Sequence, residues 1–489
     1  MNSSLPLPSH CGVYYGGDWH EPISRRFVTV INPSTGQALV DVAVAGADDV
    51  NAAVAGAQLG FETWRAVTPL ERSRILREAA TRVRRHGDEL ALIDAASCGN
   101  PVREMASDAK VAAAQIDFFA GLVTEIKGAS IPMGPDVVNF SVREPVGVVA
   151  RIVPFNHPFM FAAGKSAAPL AAGNAIVLKP PDQAPLSALR LAELIGDLFP
   201  PGVFSVIPGD RDTGASLASH RDVAMVAIIG SVAAGRAVMR AASETVKPLL
   251  LELGGKNALI AYADGEPDEV AAATVGGMNF TWCGQSCGST SRAFVHESIH
   301  DAVIKRIRSR VNSFKPGIAT DPATTMGAIV SREQLERVVG YIEIGKSEGA
   351  RLLCGGGRPA DARLAGGFFI EPTVFVDVTP DMRIAREEIF GPVLSVLRWS
   401  DEAQMLAAVN AVDYGLTCSI WTNDLSTAHR AAAAVRVGYV WINEVGKHFL
   451  GAPFGGVKRS GFGREECLEE LLSFTQQKNI HIKFGPSRR

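Results

Sequence analysis

A single thiol among small residues is the first group in this sequence that could do chemistry. Residues 282–292 read WCGQSCGSTSR, and Cys287 stands there between a serine and a glycine. Small neighbours leave room for a substrate carbonyl to approach the sulfur. Most lone cysteines are buried hydrophobic residues, so only the other motifs of the chain can make Cys287 a nucleophile.

A carboxylate and an amide at other points of the chain would suit the same chemistry. Glu252 ends the apolar run LLLEL before two glycines, where burial should raise its pKa and suit it to general-base work. Asn156 lies between two prolines in VPFNHP, a rigid mount for an amide that donates to an oxyanion. Taken singly, Glu252 as a cap or ion-pair partner and Asn156 as a turn residue are the more ordinary interpretations.

Glycines after a predicted strand indicate a phosphate site. Gly230, Ser231 and Gly235 lie between the run VAMVAII and a helix, where backbone N–H groups and the helix dipole can receive a pyrophosphate. Lys179, at the end of AIVLK, and Asp182 could hold the ribose of an adenosine. The glycine spacing is a weak signal by itself, and a solvated surface pair would also explain Lys179 and Asp182.

A parallel sheet would place these residues at one edge. Between residues 146 and 253, short β-branched runs alternate with helix-like segments, which predicts a βαβ series flanked by helices. Ligands bind beyond the carboxyl ends of such strands. A second α/β series runs from about residue 256 to 443, and apolar spacing predicts amphipathic helices over 69–86 and 108–121.

Two extended segments lie outside both α/β series. Residues 128–145, GASIPMGPDVVNFSVREP, have the turn residues of a β-hairpin, and residues 473–484 return to an extended pattern. Because an unpaired strand edge is a liability, these segments could pair in an oligomer. We therefore expect a homodimer or homotetramer.

Composition favours a globular protein that acts on a small molecule. The 489 residues are too many for one hydrophobic core, and 47% of them are apolar. The 48 basic and 51 acidic residues are mixed along the chain, so neither nucleic acid nor an anionic membrane is an expected partner. No apolar run approaches the roughly 20 residues that cross a bilayer, and no signal segment is recognisable, so we expect a cytoplasmic protein.

The cysteines indicate reduced thiols and no metal. Seven cysteines are scattered along the chain, an odd number that does not suit a disulfide framework. Cys283 and Cys287 have no second pair of Cys or His nearby to complete a zinc site. No metal is therefore expected, and Cys283 has no assigned function.

Taken together, the motifs resemble those of the aldehyde dehydrogenase superfamily. From about residue 33 to the C-terminus they follow the family's order: VPFNHP, VLKPPDQAP, IIGSVAAG, LELGGKN, GQSCGSTSR, EEIFGPV and PFGGVKRSGFGRE. The resemblance implies an α/β fold with a Rossmann-like cofactor domain, a related α/β catalytic domain and a small β oligomerisation hairpin. The expected ranges are 1–126 with 146–255, then 256–459, and finally 127–145 with 473–489.

The resemblance also implies the chemistry. An aldehyde is oxidised to a carboxylic acid through a thiohemiacetal and a thioester on Cys287, with hydride transfer to NAD. Glu252 matches the base that hydrolyses the thioester, and Asn156 with the Cys287 N–H matches the oxyanion hole. Lys165 matches a lysine that supports proton exit.

NAD is the expected cofactor, with NADP as the alternative. Lys179 and Asp182 match the adenosine-ribose pair, and Gly230 and Ser231 match the pyrophosphate turn. Asp182 stands where Glu is usual, but its carboxylate still accepts from a 2′-hydroxyl and repels a 2′-phosphate. The other expected cofactor residues are Glu388 on the nicotinamide ribose, Phe390 against the nicotinamide, and Phe155, Gly209, Gly235 and Leu253.

The substrate is expected to be a bulky or aromatic aldehyde of the benzaldehyde type. Gly164 stands where members that prefer small aldehydes often carry an aromatic residue, so its missing side chain should leave room for a wide substrate. Two tunnel histidines could contact a ring hydroxyl or only water. The expected lining residues are Val111, His157, Met160, Gly164, Thr281, Ser286, Asn443, His448 and Phe454.

Three alternatives stay open at this point. The substrate could be a medium-chain or betaine-type aldehyde. A CoA-acylating dehydrogenase would resolve the thioester with CoA, although members of that type commonly lack the glutamate of LELGG. A non-enzymatic structural protein on the same fold is disfavoured by the intact Cys287, Glu252 and Asn156.

Overall fold

The alternating pattern of residues 146–253 forms a parallel sheet in a computed structural model, which describes residues 5–485. The outermost residues of the predicted domain ranges, 1–4 and 486–489, lie outside the described residues. The strands are β1 (Val13–Tyr15), β2 (Asp18–His20), β3 (Phe27–Ile31), β4 (Ala38–Ala43), β5 (Ser130–Pro132), β6 (Val137–Pro145), β7 (Val148–Ile152), β8 (Ala175–Lys179), β9 (Phe204–Val206), β10 (Met225–Gly230), β11 (Leu249–Leu253), β12 (Ala258–Ala261), β13 (Arg292–His296), β14 (Arg351–Cys354), β15 (Thr373–Val376), β16 (Val393–Trp399), β17 (Tyr414–Gly415), β18 (Thr417–Trp421), β19 (Tyr439–Ile442), β20 (Val457–Lys458), β21 (Gly461–Phe462) and β22 (Thr475–Lys483).

Helices cover both faces of the sheets. They are α1 (Ala47–Arg65), α2 (Pro69–Arg85), α3 (Gly87–Cys98), α4 (Val102–Gly121), α5 (Pro158–Ala172), α6 (Leu186–Ile195), α7 (Arg211–Ser219), α8 (Val232–Ser243), α9 (Pro267–Gly277), α10 (Glu297–Val311), α11 (Arg332–Ser347), α12 (Arg383–Arg386), α13 (Glu402–Asn410), α14 (Leu425–Ala434) and α15 (Leu468–Ser473). The helix predicted over 69–86 is confirmed as α2, and that predicted over 108–121 is part of the longer α4.

The first sheet has the strand order β2-β1-β9-β8-β7-β10-β11-β21. Its five central strands are parallel, whereas β1, β2 and β21 run antiparallel to their neighbours. Alternate residues of a strand enter different cores: Val148 and Ala150 pack with α1, and Val149 packs with α2 to α6. Burial on both faces explains why these strands are continuously apolar.

The second sheet has the strand order β14-β15-β16-β13-β12-β18-β19, and all seven strands lie within residues 258–442. All of its strands are parallel except β14, which pairs antiparallel with β15 at the edge. Helices α9 and α10 cover one face, and α11, α13 and α14 cover the other. The prediction of an α/β fold with two related α/β series is confirmed.

The two extended segments pair with each other inside one chain. In the third sheet, β22 runs antiparallel to β6 over nine residue pairs, from Thr475 opposite Pro145 to Lys483 opposite Val137. The hairpin of β5 and β6 is confirmed. The strand order β22-β6-β5 leaves β22 and β5 at the two edges.

Within residues 5–485, no helix combines the length and the apolar character that a membrane crossing requires. All seven cysteines lie in this part of the chain, and each is a free thiol.

Candidate active site

The loop that carries Cys287 is held by the residues that follow β11. Asn257 Nδ2 donates to the carbonyl oxygens of Cys287 at 2.6 Å and Ser289 at 3.0 Å. A Cβ atom on Gly255 would lie 2.9 Å from the Cys287 carbonyl oxygen, so the loop approaches more closely than a side chain would allow. The LELGGKN segment therefore positions Cys287 as well as Glu252.

Cys287, Glu252 and Asn156 line one cavity of about 200 Å³. They come from three separate parts of the chain: a loop before β13, strand β11, and the turn between β7 and α5. The structure thus brings together the three residues that the sequence indicated for nucleophile, base and oxyanion hole.

Glu252 is buried beside a negative charge. Glu252 belongs to β11, and only 4% of the residue is exposed. Its Oε1 has no hydrogen-bond partner among the described residues. Burial and the charge of Glu465 raise the pKa of Glu252 well above its ordinary value, against the opposing charge of Lys165. An unpartnered carboxylate with a raised pKa suits a general base.

The Cys287 thiol is protonated in its resting state. Burial, together with the negative charges of Glu252 and Glu388, raises its pKa to about 12. The nucleophilic form of cysteine is the thiolate, so the proton must leave Sγ when the sulfur attacks.

Asn156 is fixed by the turn that begins α5. His157 is the N-cap and Pro158 occupies the first helical turn, where a missing N–H costs no hydrogen bond. Asn100 Nδ2 donates to the Asn156 carbonyl oxygen at 2.7 Å. The predicted rigid mount is therefore present, and Asn156 is 4% exposed on the cavity wall.

A buried charge network lies behind Glu252. Lys165 Nζ is 2.9 Å from Glu465 Oε2 and 3.5 Å from Glu466 Oε1, and Arg151 donates to Glu465 Oε1 at 2.5 Å. Burial opposes charge on Lys165, but the two glutamates outweigh it and raise the pKa of the lysine. Lys165 therefore lies close enough to Glu252 to act on its charge, and its role in proton exit stays a prediction. Glu465 ends the sequence motif PFGGVKRSGFGRE, but no role was predicted for Glu465 or Glu466.

Glu388 fills a space that a glycine leaves open. Its Oε1 accepts from the Gly255 N–H at 2.9 Å, and a Cβ atom on Gly254 would lie 2.1 Å from its Oε2. Phe390, which has a φ of 56°, packs edge-on against Phe155 at 5.7 Å between ring centroids. Both rings and Glu388 line the same cavity as Cys287.

Two residues that sequence reasoning missed hold this segment. Gln334 Nε2 donates to the Phe390 carbonyl oxygen at 2.8 Å, and Arg337 donates to the Glu388 carbonyl oxygen at 2.6 Å. Both belong to α11 and line the cavity. No sequence signal pointed to them, because their partners lie more than 50 residues away.

The predicted pyrophosphate turn begins α8. Ser231 is the N-cap and accepts from the Ala234 N–H at 3.1 Å, and Gly230 and Ser231 line the cavity. Gly235 lies in α8, where a Cβ atom would be 2.5 Å from Leu253 Cδ1. Gly235 and Leu253 therefore pack the helix onto β11.

The predicted ribose residues Lys179 and Asp182 lie at the end of β8 and in the loop after it, and Gly209 follows β9. Lys179 is buried, its Nζ donates to the Pro180 carbonyl oxygen at 3.0 Å, and burial lowers its pKa against the charge of Asp182. Asp182 is exposed. A Cβ atom on Gly209 would lie 2.1 Å from Thr213 Oγ1, so a glycine is needed before α7. The helix N-terminus at Ser231 and the cavity lined by Gly230 and Glu388 suit part of a dinucleotide, whereas Lys179, Asp182 and Gly209 do not line this cavity.

The expectation that Gly164 leaves room for substrate is wrong. A Cβ atom on Gly164 would lie 1.8 Å from Gln115 Oε1, and Gln115 is 2% exposed. The space beside the glycine is therefore already filled by an amide from α4. A larger residue at position 164 would displace Gln115 and not narrow an open tunnel.

His157, one of the two histidines expected to line the substrate tunnel, is buried. It is 6% exposed, and its Nδ1 is 2.7 Å from Asp108 Oδ2. Its ring packs edge-on against Trp282 at 4.6 Å between centroids. Burial lowers the pKa of the histidine, but the Asp108 carboxylate outweighs burial and raises it. His157 supports the turn that carries Asn156.

The other predicted substrate residues differ in surroundings. Val111 is exposed on α4, whereas Met160, Thr281 and Ser286 are half-buried. Asn443 is exposed, and its amide exchanges hydrogen bonds of 2.9 and 3.1 Å with the Thr422 backbone.

Phe454 and His448 belong to an aromatic cluster with Tyr439 and Trp441, which sequence reasoning missed. The ring centroids of His448 and Phe454 are 4.4 Å apart, and those of Tyr439 and Phe454 are 5.7 Å apart. A Cβ atom on Gly455, the residue after Phe454, would lie 2.7 Å from Glu252 Oε1. The backbone that follows Phe454 therefore approaches Glu252, although the four aromatic side chains do not line the cavity of Cys287.

Cys283 has a structural explanation. It is 1% exposed in the core of the second sheet, its Sγ is 3.1 Å from the Gly327 carbonyl oxygen, and burial raises the pKa of its thiol. A thiol so enclosed is inert.

Comparison with known proteins gives one consistent result. The profile described as "Aldehyde dehydrogenase family" matches residues 19–480. Aldehyde dehydrogenase tropH of Talaromyces stipitatus is 50% identical over 487 residues, which cover 98% of this chain and 94% of that protein. The crystal structure of PnpE from Pseudomonas sp. WBC-3 has a TM-score of 0.95 at 37% identity and covers 98% of this chain and 99% of its own.

Two solved structures of such relatives contain a dinucleotide. PnpE is also known in complex with nicotinamide adenine dinucleotide. A mutant of the P. syringae AldA indole-3-acetaldehyde dehydrogenase, in complex with NAD+ and IAA, has a TM-score of 0.95 at 34% identity and covers 99% of this chain and 98% of its own.

Proposed function

The chain belongs to the aldehyde dehydrogenase family and oxidises aldehydes with NAD; we propose that a thioester on Cys287 carries the reaction and that the substrates are bulky or aromatic aldehydes. The observation that carries the mechanism is the shared cavity of Cys287, Asn156 and Glu252. Nucleophile, amide donor and buried base meet there beside the residues that would hold the nicotinamide end of NAD, which are Phe155, Glu388 and Phe390.

The first half of the reaction forms a bond to sulfur. The Cys287 thiol gives its proton to a water molecule, and Sγ attacks the aldehyde carbon to give a thiohemiacetal. Asn156 and the Cys287 N–H donate to the oxyanion, and Asn156 is buried in the cavity wall. NAD, when bound, accepts the hydride that leaves this carbon. Loss of the hydride converts the thiohemiacetal into a thioester on Cys287.

The second half breaks that bond with water. Glu252 takes a proton from a water molecule, whose oxygen attacks the thioester carbonyl carbon. The tetrahedral intermediate collapses, the acid leaves, and the Cys287 thiol is restored. The buried carboxylate supports hydrolysis over transfer to CoA, because a CoA thiol would need no base that activates water.

For the cofactor, we propose a preference for NAD over NADP that depends on Asp182. Its carboxylate is exposed and lies close enough to Lys179 to act on its charge, so it can accept from a ribose hydroxyl but repels a 2′-phosphate. The ranges 1–126 with 146–255 and 256–459 stay our proposal for the cofactor and catalytic domains.

The aromatic cluster supports the substrate proposal, which no longer depends on Gly164. The aromatic side chains of this cluster, which precedes the segment that approaches Glu252, offer apolar faces on which a ring can pack. The similarity to an indole-3-acetaldehyde dehydrogenase is consistent with a bulky ring.

We expect kcat/KM for benzaldehyde to exceed that for acetaldehyde by at least about tenfold, since burial of a ring is worth more than 1.4 kcal/mol. Steady-state NADH production with both aldehydes and a betaine-type aldehyde measures this. Phe454→Leu should lower kcat/KM for benzaldehyde more than for acetaldehyde, whereas Phe27→Leu, at an exposed phenylalanine of β3, should change neither. A wild-type preference for acetaldehyde would overturn the substrate proposal and leave the chemistry standing.

We further propose that the edges of the third sheet assemble a homodimer or homotetramer. Ile482 of β22 and Val138 of β6 are paired neighbours, and both are exposed in the single chain. Deleting residues 478–489 or introducing Ile482→Asp should lower the number of chains in the assembly, which the molar mass from light scattering measures. Gln477→Asp, which places the same charge on the opposite face of β22, should not. A wild-type monomer at micromolar concentration would contradict the proposal.

A further inference from the structure

His448 belongs to the aromatic cluster, whose Phe454 precedes a residue that lies close to Glu252. Its ring packs against Phe454 at 4.4 Å between centroids. Gly455, the next residue, lies so close to Glu252 that a Cβ atom on it would be 2.7 Å from Glu252 Oε1. The His448 side chain is 40% exposed. His448 therefore lies between solvent and the buried Phe454.

Glu466 holds the His448 ring in place. Its Oε2 lies 3.1 Å from His448 Nδ1, and its Oε1 lies 3.5 Å from Lys165 Nζ. Burial would raise the pKa of Glu466, but the charge of Lys165 and the hydrogen bond with His448 lower it to about 2. The Glu466 side chain is therefore ionised at neutral pH and anchored from both sides.

The backbone of Glu466 is held in an unfavourable conformation. Its φ of 65° is in the left-handed region, which costs a non-glycine residue free energy. Two hydrogen bonds maintain it: the Gly451 N–H donates to the Glu466 carbonyl oxygen at 2.7 Å, and the Glu466 N–H donates to Glu470 Oε2 at 2.6 Å. The first bond ties Glu466 to the loop that carries His448. Strain retained next to a catalytic network indicates a functional constraint on Glu466.

The Glu466 contact determines which nitrogen of His448 carries the proton. An ionised carboxylate can only accept, so Nδ1 must donate to it. In the neutral imidazole the other nitrogen, Nε2, is then an acceptor. Nε2 has no hydrogen-bond partner among residues 5–485.

We propose that His448 Nε2 accepts a hydrogen bond from a hydroxyl group on the ring of the substrate, and that Glu466 is the positioning residue that maintains this acceptor. The inference rests on the aromatic substrate proposed above and narrows it to hydroxylated aromatic aldehydes. The aldehyde carbon reacts at Cys287, and the ring packs along Phe454. The hydroxyl group reaches His448 at the solvent side of the aromatic cluster.

Paired aldehydes test the inference. The 2-, 3- and 4-hydroxybenzaldehydes are each compared with the methoxy compound of the same pattern, which can accept a hydrogen bond but cannot donate one. In the wild type we expect kcat/KM to favour the hydroxyl compound by about tenfold in at least one pair, the effect of one hydrogen bond. His448→Phe, which keeps a ring but removes both nitrogens, should bring that ratio to about one.

Glu466→Gln tests the positioning role. An amide can donate to Nδ1 as well as accept from it, so the acceptor on Nε2 is no longer enforced and the ratio should fall at least about threefold. The matched control is His429→Phe, at an exposed histidine of α14, which should keep the wild-type ratio. Thermal unfolding of all variants checks that they are folded.

Two outcomes would overturn the inference. One is a wild type whose ratio is near one in all three pairs, and the other is a His448→Phe variant that keeps the wild-type ratio. Equal losses for both members of a pair in Glu466→Gln would show a structural role only. Because each ratio compares two aromatic aldehydes, it is independent of the comparison between benzaldehyde and acetaldehyde that tests the proposed function.

Discussion

Replacing Cys287 by alanine should abolish aldehyde oxidation while the protein stays folded. We expect kcat to fall by at least about four orders of magnitude, because no other group in the cavity can form the covalent bond to the aldehyde carbon. The fold should tolerate the change, since Cys287 is half-buried on the cavity wall and only its sulfur is removed. NADH production, followed by absorbance with benzaldehyde as substrate, measures the loss.

The neighbouring thiol provides the matched control. Cys283→Ala removes the same atom four residues away, but from a core position where the thiol contacts a backbone carbonyl group. We expect activity within about twofold of the wild type and a loss of about 1 kcal/mol in the free energy of unfolding. If Cys287→Ala kept activity within tenfold of the wild type, or if the two variants exchanged their behaviour, the assignment of the nucleophile would be wrong.

Glu252→Gln should separate the two halves of the reaction. Acylation of Cys287 needs no general base at position 252 in the proposed mechanism, but hydrolysis of the thioester does. We expect a rapid burst of about one NADH for each active site, followed by a steady-state rate that is about 10² to 10⁴ lower than in the wild type. Intact-protein mass spectrometry after mixing should detect the acyl group on Cys287.

The pH dependence offers a second measurement on the same variant. Burial and Glu465 raise the pKa of Glu252, and only the deprotonated carboxylate can take a proton from water. In the wild type the rate of deacylation should therefore increase with pH through this raised pKa, and in Glu252→Gln the increase should disappear. Glu244→Gln, at an exposed glutamate that ends α8, should behave like the wild type. An unaltered steady-state rate without an acyl adduct in Glu252→Gln would exclude the base.

The sequence by itself determined the sheets and indicated which three residues share the cavity. Strand and helix patterns repeat over a few residues, so continuous apolar runs such as LLLEL were sufficient to predict β11 and its neighbours. Gly254 and Gly255 are marked in the sequence because a side chain at either position would collide with Glu388 or with the Cys287 backbone. These constraints act on local residue types, and local residue types are what a sequence displays.

Only the tertiary structure decided which side chains meet. From the sequence we predicted an empty space beside Gly164, but the side chain of Gln115, on another helix, fills that space. Arg151 pairs with Glu465 across 314 residues, and His448 reaches Glu466 across a segment of 18 residues that contains β20 and β21. Their positions depend on how helices and strands pack, and packing is set by the sum of many weak contacts between distant residues. The residue types for nucleophile, base and oxyanion hole were therefore predictable, whereas the wall that selects the substrate was not.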